Sequence, residues 1–420
     1  MQLNKDISTL KNRKTEADES VVSVVQAIIT DVRKNGDEAV RRYAKEFDGY
    51  AGESLQVTHA DIPPHNPNAS YGFFHLLERA ADRIRDFHKN QIEKSWSIYK
   101  DDGVMMGQIV RPLERVAIYV PGGTAVLTSS LLMCAIPAQL AGVKEIIMLT
   151  PVKEDGQISE ALTQAATLCG ITKIYKVGGA HAIAAAAYGT ETIPRVDKIV
   201  GPGSSYIATA KRLVYGAVDI DMVAGPSDIL VIADETANAK YVAADLLSQA
   251  EHGTDSSSVL VSTCDKLISE VEVEITRQLT YLKRADIARE SLKNFGAAVH
   301  VRTLEEAFDI SNDLAPEHLE ILTADPISHL PKVKNAGSVF LGENTPEPLG
   351  DYMSGTNHVL PTGGTARFYS PLGVYDFVKY SSYSYYPRAA LAALQDDVQK
   401  FALSEGLDAH ANSVYVRFEK

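Results

Sequence analysis

Val116-Ala117-Ile118-Tyr119-Val120-Pro121-Gly122-Gly123 is a short apolar run that stops in a proline and two glycines. The pattern returns downstream: Ile146 to Leu149 runs into Thr150-Pro151, Ile174 to Val177 into Gly178-Gly179, and Ile199-Val200 into Gly201-Pro202-Gly203. Apolar runs of this length bounded by turn residues read as buried strands. Helical stretches separate them, at Ser130 to Leu140, Glu160 to Leu168, His181 to Tyr188 and Tyr206 to Val214. Strand, glycine turn and helix in repetition predict a parallel α/β sheet with its loops at the carboxyl edge of the strands, the edge at which open sheets bind ligands.

A second series follows. Ile229 to Ala233, Ser258 to Ser262, Val299 to Val301 and Ser338 to Leu341 are strand candidates, with helices from Asn238 to Ala250, around Leu267 to Arg284 and from Glu305 to Leu314. Upstream, Val21, Val25, Ile28, Ile29 and Val32 recur at helical spacing; Asn35-Gly36 is a helix stop and Asp37 a candidate N-cap for the next helix. A loop at Pro63-Pro64 and Asn66-Pro67-Asn68 precedes a helix carrying Phe73, Leu76, Leu77, Ala80, Ile84 and Phe87. From about Leu372 the chain reads as a helical appendage, periodic from Ala389 to Leu403. The fold class is therefore α/β: two Rossmann-like parallel-sheet domains, an N-terminal helical segment and a small C-terminal helical appendage. The usual G-x-G-x-x-G is absent, because Gly201-Pro-Gly203 continues into Ser204-Ser205-Tyr206.

The 420 residues, 45% hydrophobic and 23% charged, suit two to four soluble domains. A formal net charge of -13 argues against a nucleic-acid surface and is compatible with a cationic or zwitterionic small substrate. Cys134, Cys169 and Cys264 are far apart without CxxC spacing, so neither a disulfide framework nor a thiolate zinc site is expected. Met1 to Arg13 has no apolar core and no run approaches a membrane span, which points to a cytoplasmic protein.

Four clusters could carry chemistry. In Ala315-Pro-Glu-His-Leu-Glu320, Pro316 should end the preceding helix, and alternation in the following strand would point Glu317 and His318 in different directions, toward one substrate from two sides. Alone, such a dipeptide is ordinary solvated surface. Gln249 and His252, three apart at a helix end closed by Gly253, have the spacing to share a cation, or His252 simply meets the helix dipole. Asp351 and His358 lie in a turn-rich segment too polar for core, and Glu405 and His410 lie in an irregular segment near the C-terminus. His, Asp and Gln donors without Cys suit zinc or manganese, while the glycine turns suit a phosphate-bearing cofactor.

Six separated blocks together resemble the histidinol dehydrogenase family: Tyr119-Val-Pro-Gly-Gly123, Asp221-Met-Val-Ala-Gly-Pro-Ser227, Leu246-Leu-Ser-Gln-Ala-Glu-His252, Ala315-Pro-Glu-His318, Gly350-Asp351 with Gly355-Thr-Asn-His-Val-Leu-Pro361, and Glu405-Gly-Leu-Asp-Ala-His410. The resemblance covers nearly the whole chain from about residue 20. It implies a zinc-dependent, NAD-linked oxidation of L-histidinol to L-histidine in two steps through an enzyme-held aldehyde. It further implies one zinc per subunit on Gln249, His252, Asp351 and His410, with Ser227, His358 and Glu405 holding substrate. His318 would be the base of the alcohol step, and Glu317 would activate water in the aldehyde step.

By the same resemblance the protein is an intertwined homodimer in which Glu405 and His410 act in the partner's site. Residues 119–227 would be an inserted NAD-binding domain within a discontinuous domain of 20–118 and 228–371 that carries the metal and catalytic residues. Residues 1–19 would lead, and 372–420 would complete the partner's site. Tyr119 is kept for NAD, but His181 and Ser204 stand where the family usually has Gln and Asn, so altered NAD affinity is expected. Rival expectations are a same-family dehydrogenase for another small alcohol, a zinc hydrolase, and a metal-stabilised structural or regulatory protein.

Overall fold

The computed structural model describes residues 2–3, 10, 19–58, 61, 67–122 and 127–419, the side chains of 2, 3 and 67–71 aside. The chain divides into two compact units, Met1–Gln91 with Leu113–Phe377, and Ile92–Pro112 with Val378–Lys420.

The first unit opens with β1 (Gln2–Leu3), α1 (Glu19–Asp48) and α2 (Pro67–His88). β2 (Trp96–Tyr99) and β3 (Met105–Pro112) belong to the second unit. The chain then alternates through β4 (Arg115–Tyr119), α3 (Thr128–Ala141), β5 (Glu145–Thr150), α4 (Glu160–Leu168), β6 (Lys173–Lys176), α5 (Gly179–Tyr188), β7 (Lys198–Val200), α6 (Ser205–Val214) and β8 (Asp219–Ile220). A second alternation runs β9 (Asp228–Ala233), α7 (Ala239–Ala250), β10 (Ser257–Ser262), α8 (Asp265–Gln278), α9 (Ala285–Phe295), β11 (Gly296–His300), α10 (Leu304–Leu314), β12 (His318–Leu322), β13 (Ser338–Leu341) and α11 (Glu347–Tyr352). β14 (Val378–Tyr385), α12 (Arg388–Ser404) and α13 (Asp408–Tyr415) complete the second unit.

Two parallel sheets carry the first unit, in the orders β6-β5-β4-β7-β8 and β1-β11-β10-β9-β12-β13. Apart from β1, the two orders are the same: the first strand of each series lies in the middle, flanked by its second and fourth. Each sheet thus has one place where successive crossovers leave in opposite directions, between β4 and β7 and between β9 and β12. The central strands are buried on both faces, as apolar runs such as Asp228–Ala233 and Ser257–Ser262 require when helices cover both sides. α5 packs through six alanines and is buried along almost its whole length.

The local readings meet the structure with instructive differences. Gly36 does break α1, at φ 51° and ψ -133°, but Asp37 does not cap the following turn. Its carboxylate instead bonds the Thr192 hydroxyl and amide, tying the break to the loop before β7. Pro67 opens α2 rather than lying in a loop, a position where its missing N–H costs nothing; Pro63-Pro64 and Asn66 lie outside the described residues. The helix expected around Leu267 to Arg284 stops at Gln278, and a further helix, Ala285–Phe295, follows after Leu279 to Arg284. The second unit is not wholly helical either: β14 pairs antiparallel with β3 from Val378↔Pro112 to Tyr385↔Met105, and β3 with β2. Among the described residues no helix is long and apolar enough to cross a membrane.

One buried ion pair fixes the turn after β7. Lys211 on α6 is 2% exposed, donates to Gly201 O at 3.0 Å and pairs with Asp221. Asp221 in turn accepts from Gly201 N at 2.8 Å. Gly201 holds φ 116°, and a Cβ there would lie 2.2 Å from Tyr119 O, so only glycine lets the turn approach the end of β4. Lys211→Met would leave the Asp221 carboxylate buried without its cation. Urea unfolding should show a loss of about 3–5 kcal/mol; a loss under about 1 kcal/mol would contradict the clamp.

Candidate active site

A cleft of about 270 Å³ in the first unit is lined from both sheets. From the first sheet come Gly201, Pro202, Gly203, Lys211 and Asp221, at the carboxyl edge beside the β4/β7 switch point. From the second come Ser227, His252, Glu317, His318, Asp351 and His358. Ser227 immediately precedes β9 and Glu317 immediately precedes β12, so the second sheet presents its amino edge. The carboxyl-edge rule thus holds for the first sheet only. The geometry follows from α7, which runs back from the carboxyl ends of the strands and delivers Gln249 and His252 to the amino edge.

Pro316 ends α10 as its chemistry dictates, yet Ala315 adopts φ 50° and ψ 63°, the left-handed region and not the extended one. It is the one non-glycine with positive φ among the described residues. Its N–H still closes the helix on Ser311 O at 2.8 Å, and Gly337 N then bonds Pro316 O at 2.9 Å. A strained residue held by bonds on both sides aims the side chains next to it in the strand.

Asp228 is the bracket for the pair. Its backbone N–H donates to Glu317 Oε2 at 3.0 Å, and its carbonyl receives His318 Nδ1 at 3.1 Å. Its carboxylate accepts from Glu317 N at 2.8 Å and from Gly363 N at 3.2 Å. Glu317 and His318 are 6% and 5% exposed, so the solvated-surface reading of the dipeptide fails here. Burial, then the nearby Asp228 charge, raises Glu317 well above the usual carboxylate range, while burial lowers His318 to about 4. His318 is therefore neutral at neutral pH, with the Nδ1 proton on the Asp228 carbonyl and a free lone pair on Nε2.

His252 lies beyond the last residue of α7 and is exposed, not on the helix face its spacing suggested; its N–H bonds Gln249 O at 3.2 Å. Gln249 is fully buried, and neither its Oε1 nor its Nε2 has a hydrogen-bond partner. Such an orphaned buried amide, three residues before the exposed His252, is the kind of donor a divalent cation uses. His358 bonds Asp351 O through Nδ1 at 3.0 Å and Ser130 Oγ through Nε2 at 3.2 Å, and burial lowers its pKa. Glu405, the C-cap of α12, and His410, in α13, lie in the second unit and are exposed.

Of the residues expected around NAD, Tyr119 ends β4, is buried, and is raised to about 12 by that burial. Ser204 is exposed at the N-cap of α6 with no side-chain cap bond. His181 is fully buried, its ring 5.8 Å from Tyr43 and 6.1 Å from Phe47, with both nitrogens unpartnered.

Reasoning from sequence missed Asp228, Glu320 and Glu347. Glu320 had a signal: it interrupts an apolar strand two residues from His318, on the same face. Its Oε1 accepts from Glu347 N at 2.8 Å, so it holds the start of α11. Glu347 and Asp228 carry no local mark that separates them from surface carboxylates.

Asp228→Ala would strip acceptors from two N–H groups, and urea unfolding should show a loss of about 2–5 kcal/mol, with Asn losing less. A change within about 0.5 kcal/mol, typical of a surface site, would contradict the bracket. His181 gives a pH signature. Burial depresses it from 6.5 to about 3, so the unfolded chain protonates first as pH falls and stability is lost below about 6.5. From neutrality to about pH 5, native protein should lose about 2 kcal/mol more than His181→Gln in paired urea titrations. Parallel curves would contradict the buried neutral ring.

The histidinol dehydrogenase family profile matches residues 11–418. A histidinol dehydrogenase of Lactococcus lactis is 57% identical over 412 residues, 98% of this chain and 96% of that protein. One of Clostridium acetobutylicum is 52% identical over 415 residues, 99% and 96% of the two chains. The crystal structure of histidinol dehydrogenase from Elizabethkingia anophelis superposes with a TM-score of 0.93 at 39% identity, covering 99% of this chain and 97% of that one. With agreement along the whole length, the chain belongs to the histidinol dehydrogenase family of oxidoreductases.

Proposed function

We propose that the protein is a zinc-dependent, NAD-linked enzyme that oxidises L-histidinol to L-histidine in two steps through a held aldehyde. The observation that carries this reading is a neutral buried imidazole and a buried high-pKa carboxyl group in one cleft with His252 and Asp351, His252 lying three residues after the orphaned Gln249 amide. When bound, zinc would orient the substrate through its nitrogens and NAD would accept hydride. Gln249, His252 and Asp351 would hold the metal, with His410 of a second copy; Tyr119 and Ser204 would face NAD, and His181, fully buried against Tyr43 and Phe47, would join them only on turning out of that packing. Ser227, His358 and Glu405 of a second copy would hold the substrate's polar groups.

His318 takes the alcohol proton at Nε2 as hydride leaves the carbinol carbon, its ring kept in register by the Nδ1 bond to Asp228. Glu317, anchored through Oε2, keeps its other oxygen to take a proton from the water that adds to the aldehyde; the hydrated carbon then gives up the second hydride. Burial and the Asp228 charge make Glu317 a stronger base than a solvated glutamate. In this reading residues 119–227 are the NAD-binding insertion within a domain of 20–118 and 228–371, less Ile92–Pro112, which belongs with the second unit; 1–19 lead and 372–420 complete the other subunit's site. A homodimer is supported by the exposed apolar side chains of the second unit, among them Trp96, Ile98, Tyr99 and Phe401. Three free cysteines, Cys134 and Cys169 buried and Cys264 partly so, fit a cytoplasmic enzyme.

With histidinol and NAD, NADH should form twice per histidine, and a chelator should abolish turnover; no NADH at any NAD concentration would overturn the reading. His318→Asn should slow alcohol oxidation by about 10²–10⁴ and oxidation of supplied aldehyde far less, with the reverse for Glu317→Gln. Equal losses in both half-reactions would refute the division of roles.

A further inference from the structure

Glu347 has no task in the reaction above, yet it lies close to two residues of the cleft wall, His318 and Asp351. Its N–H is held by Glu320, and its Oε2 accepts from Ser248 Oγ at 3.2 Å. The side chain belongs to a residue only 2% exposed, and Oε1 has no hydrogen-bond partner. That oxygen lies 3.7 Å from His318 Nε2. One donor atom from each of His318, Glu347 and Asp351 falls within 4.8 Å of the others, the compact ligand group found among the described residues. A buried carboxyl oxygen facing an imidazole lone pair, with a second carboxyl group close by, offers a divalent cation three donors at one point.

We propose that Glu347, His318 and Asp351 form a second divalent-cation position whose filling ties up the nitrogen that serves as base. One imidazole and two carboxylates, with no thiolate, suit zinc, cobalt or manganese, ions that accept mixed nitrogen and oxygen donors. The bond from Nδ1 to Asp228 O leaves Nε2 as the ring's ligating atom, the same atom that would take the alcohol proton. Asp351, with two oxygens, is common to this position and to the set of Gln249, His252 and His410, so the two positions adjoin. Metal in excess of one per subunit therefore inhibits. The inhibition rests on the assignment of His318 as the base; the metal count does not.

The test is a titration of chelator-treated, full-length protein with cobalt, following the visible spectrum, bound metal by elemental analysis, and histidinol oxidation normalised to each protein's own maximum. Native protein should bind a second cobalt per subunit, and its activity should fall as that ion binds. Glu347→Gln should weaken the second event by about tenfold or more and lose the inhibitory phase, and Glu347→Asp, which keeps a carboxylate, should weaken it less. Circular dichroism identifies a variant that fails to fold, in which case the Asp variant decides. A single cobalt per native subunit, or a second cobalt bound equally by native and both variants, would overturn the proposal. Absence of histidinol oxidation at one equivalent would instead refute the functional reading and leave the metal count as the test.

Discussion

The site depends on one residue's two-sided grip. Asp228 opens β9 and faces the start of β12, the two strands that adjoin at the switch point of the second sheet. Its main chain engages both working side chains, and its carboxylate holds the main chain that carries them. One backbone N–H on Glu317 and one carbonyl on His318 separate the pair chemically: the carboxyl group is anchored by one oxygen, and the imidazole is committed to one tautomer. Neighbours in sequence are thereby given different proton chemistry by the same strand.

Around that grip, two sheets of the same strand order are used at opposite edges. The first brings glycine turns to its carboxyl edge, where Lys211 and Asp221 hold the Gly201 turn against the end of β4. The second brings strand starts and the end of α7 to its amino edge. Side chains at a strand start are as rigid as the strand, which suits groups that must meet a reacting atom, whereas turns suit a ligand bound through backbone N–H groups. The left-handed Ala315 and Pro316 are the means by which α10 passes into β12 with Glu317 and His318 already aimed.

Much of this was legible in residue order. Apolar runs ending in glycine marked the first sheet almost strand for strand, because buried parallel strands have a composition that nothing else in the chain shares. Glu317, His318, Asp351 and His358 were found, since polar side chains beside Pro316 or in the turn-rich 350–358 segment stand out. The antiparallel strands of the second unit were not, because Val378–Tyr385 alternates Ser, Lys and Tyr and lacks the aliphatic run that signalled strands elsewhere. Asp228 and Glu347 were missed for a different reason: their roles come from hydrogen bonds across 89 and 99 residues of chain, to Glu317 and Ser248, and no local pattern encodes those. The edge reversal was hidden similarly, because strand order and edge use are properties of packing rather than of any segment.

The measurement that bears most directly on this account is nitrogen-15 NMR of histidine-labelled, chelator-treated protein, with His318 assigned by its Asn variant. The account predicts a neutral His318 ring at neutral pH, protonated on Nδ1 with Nε2 free, and no titration down to well below the ordinary histidine range. An Nε2–H tautomer, or an imidazolium at neutral pH, would contradict it.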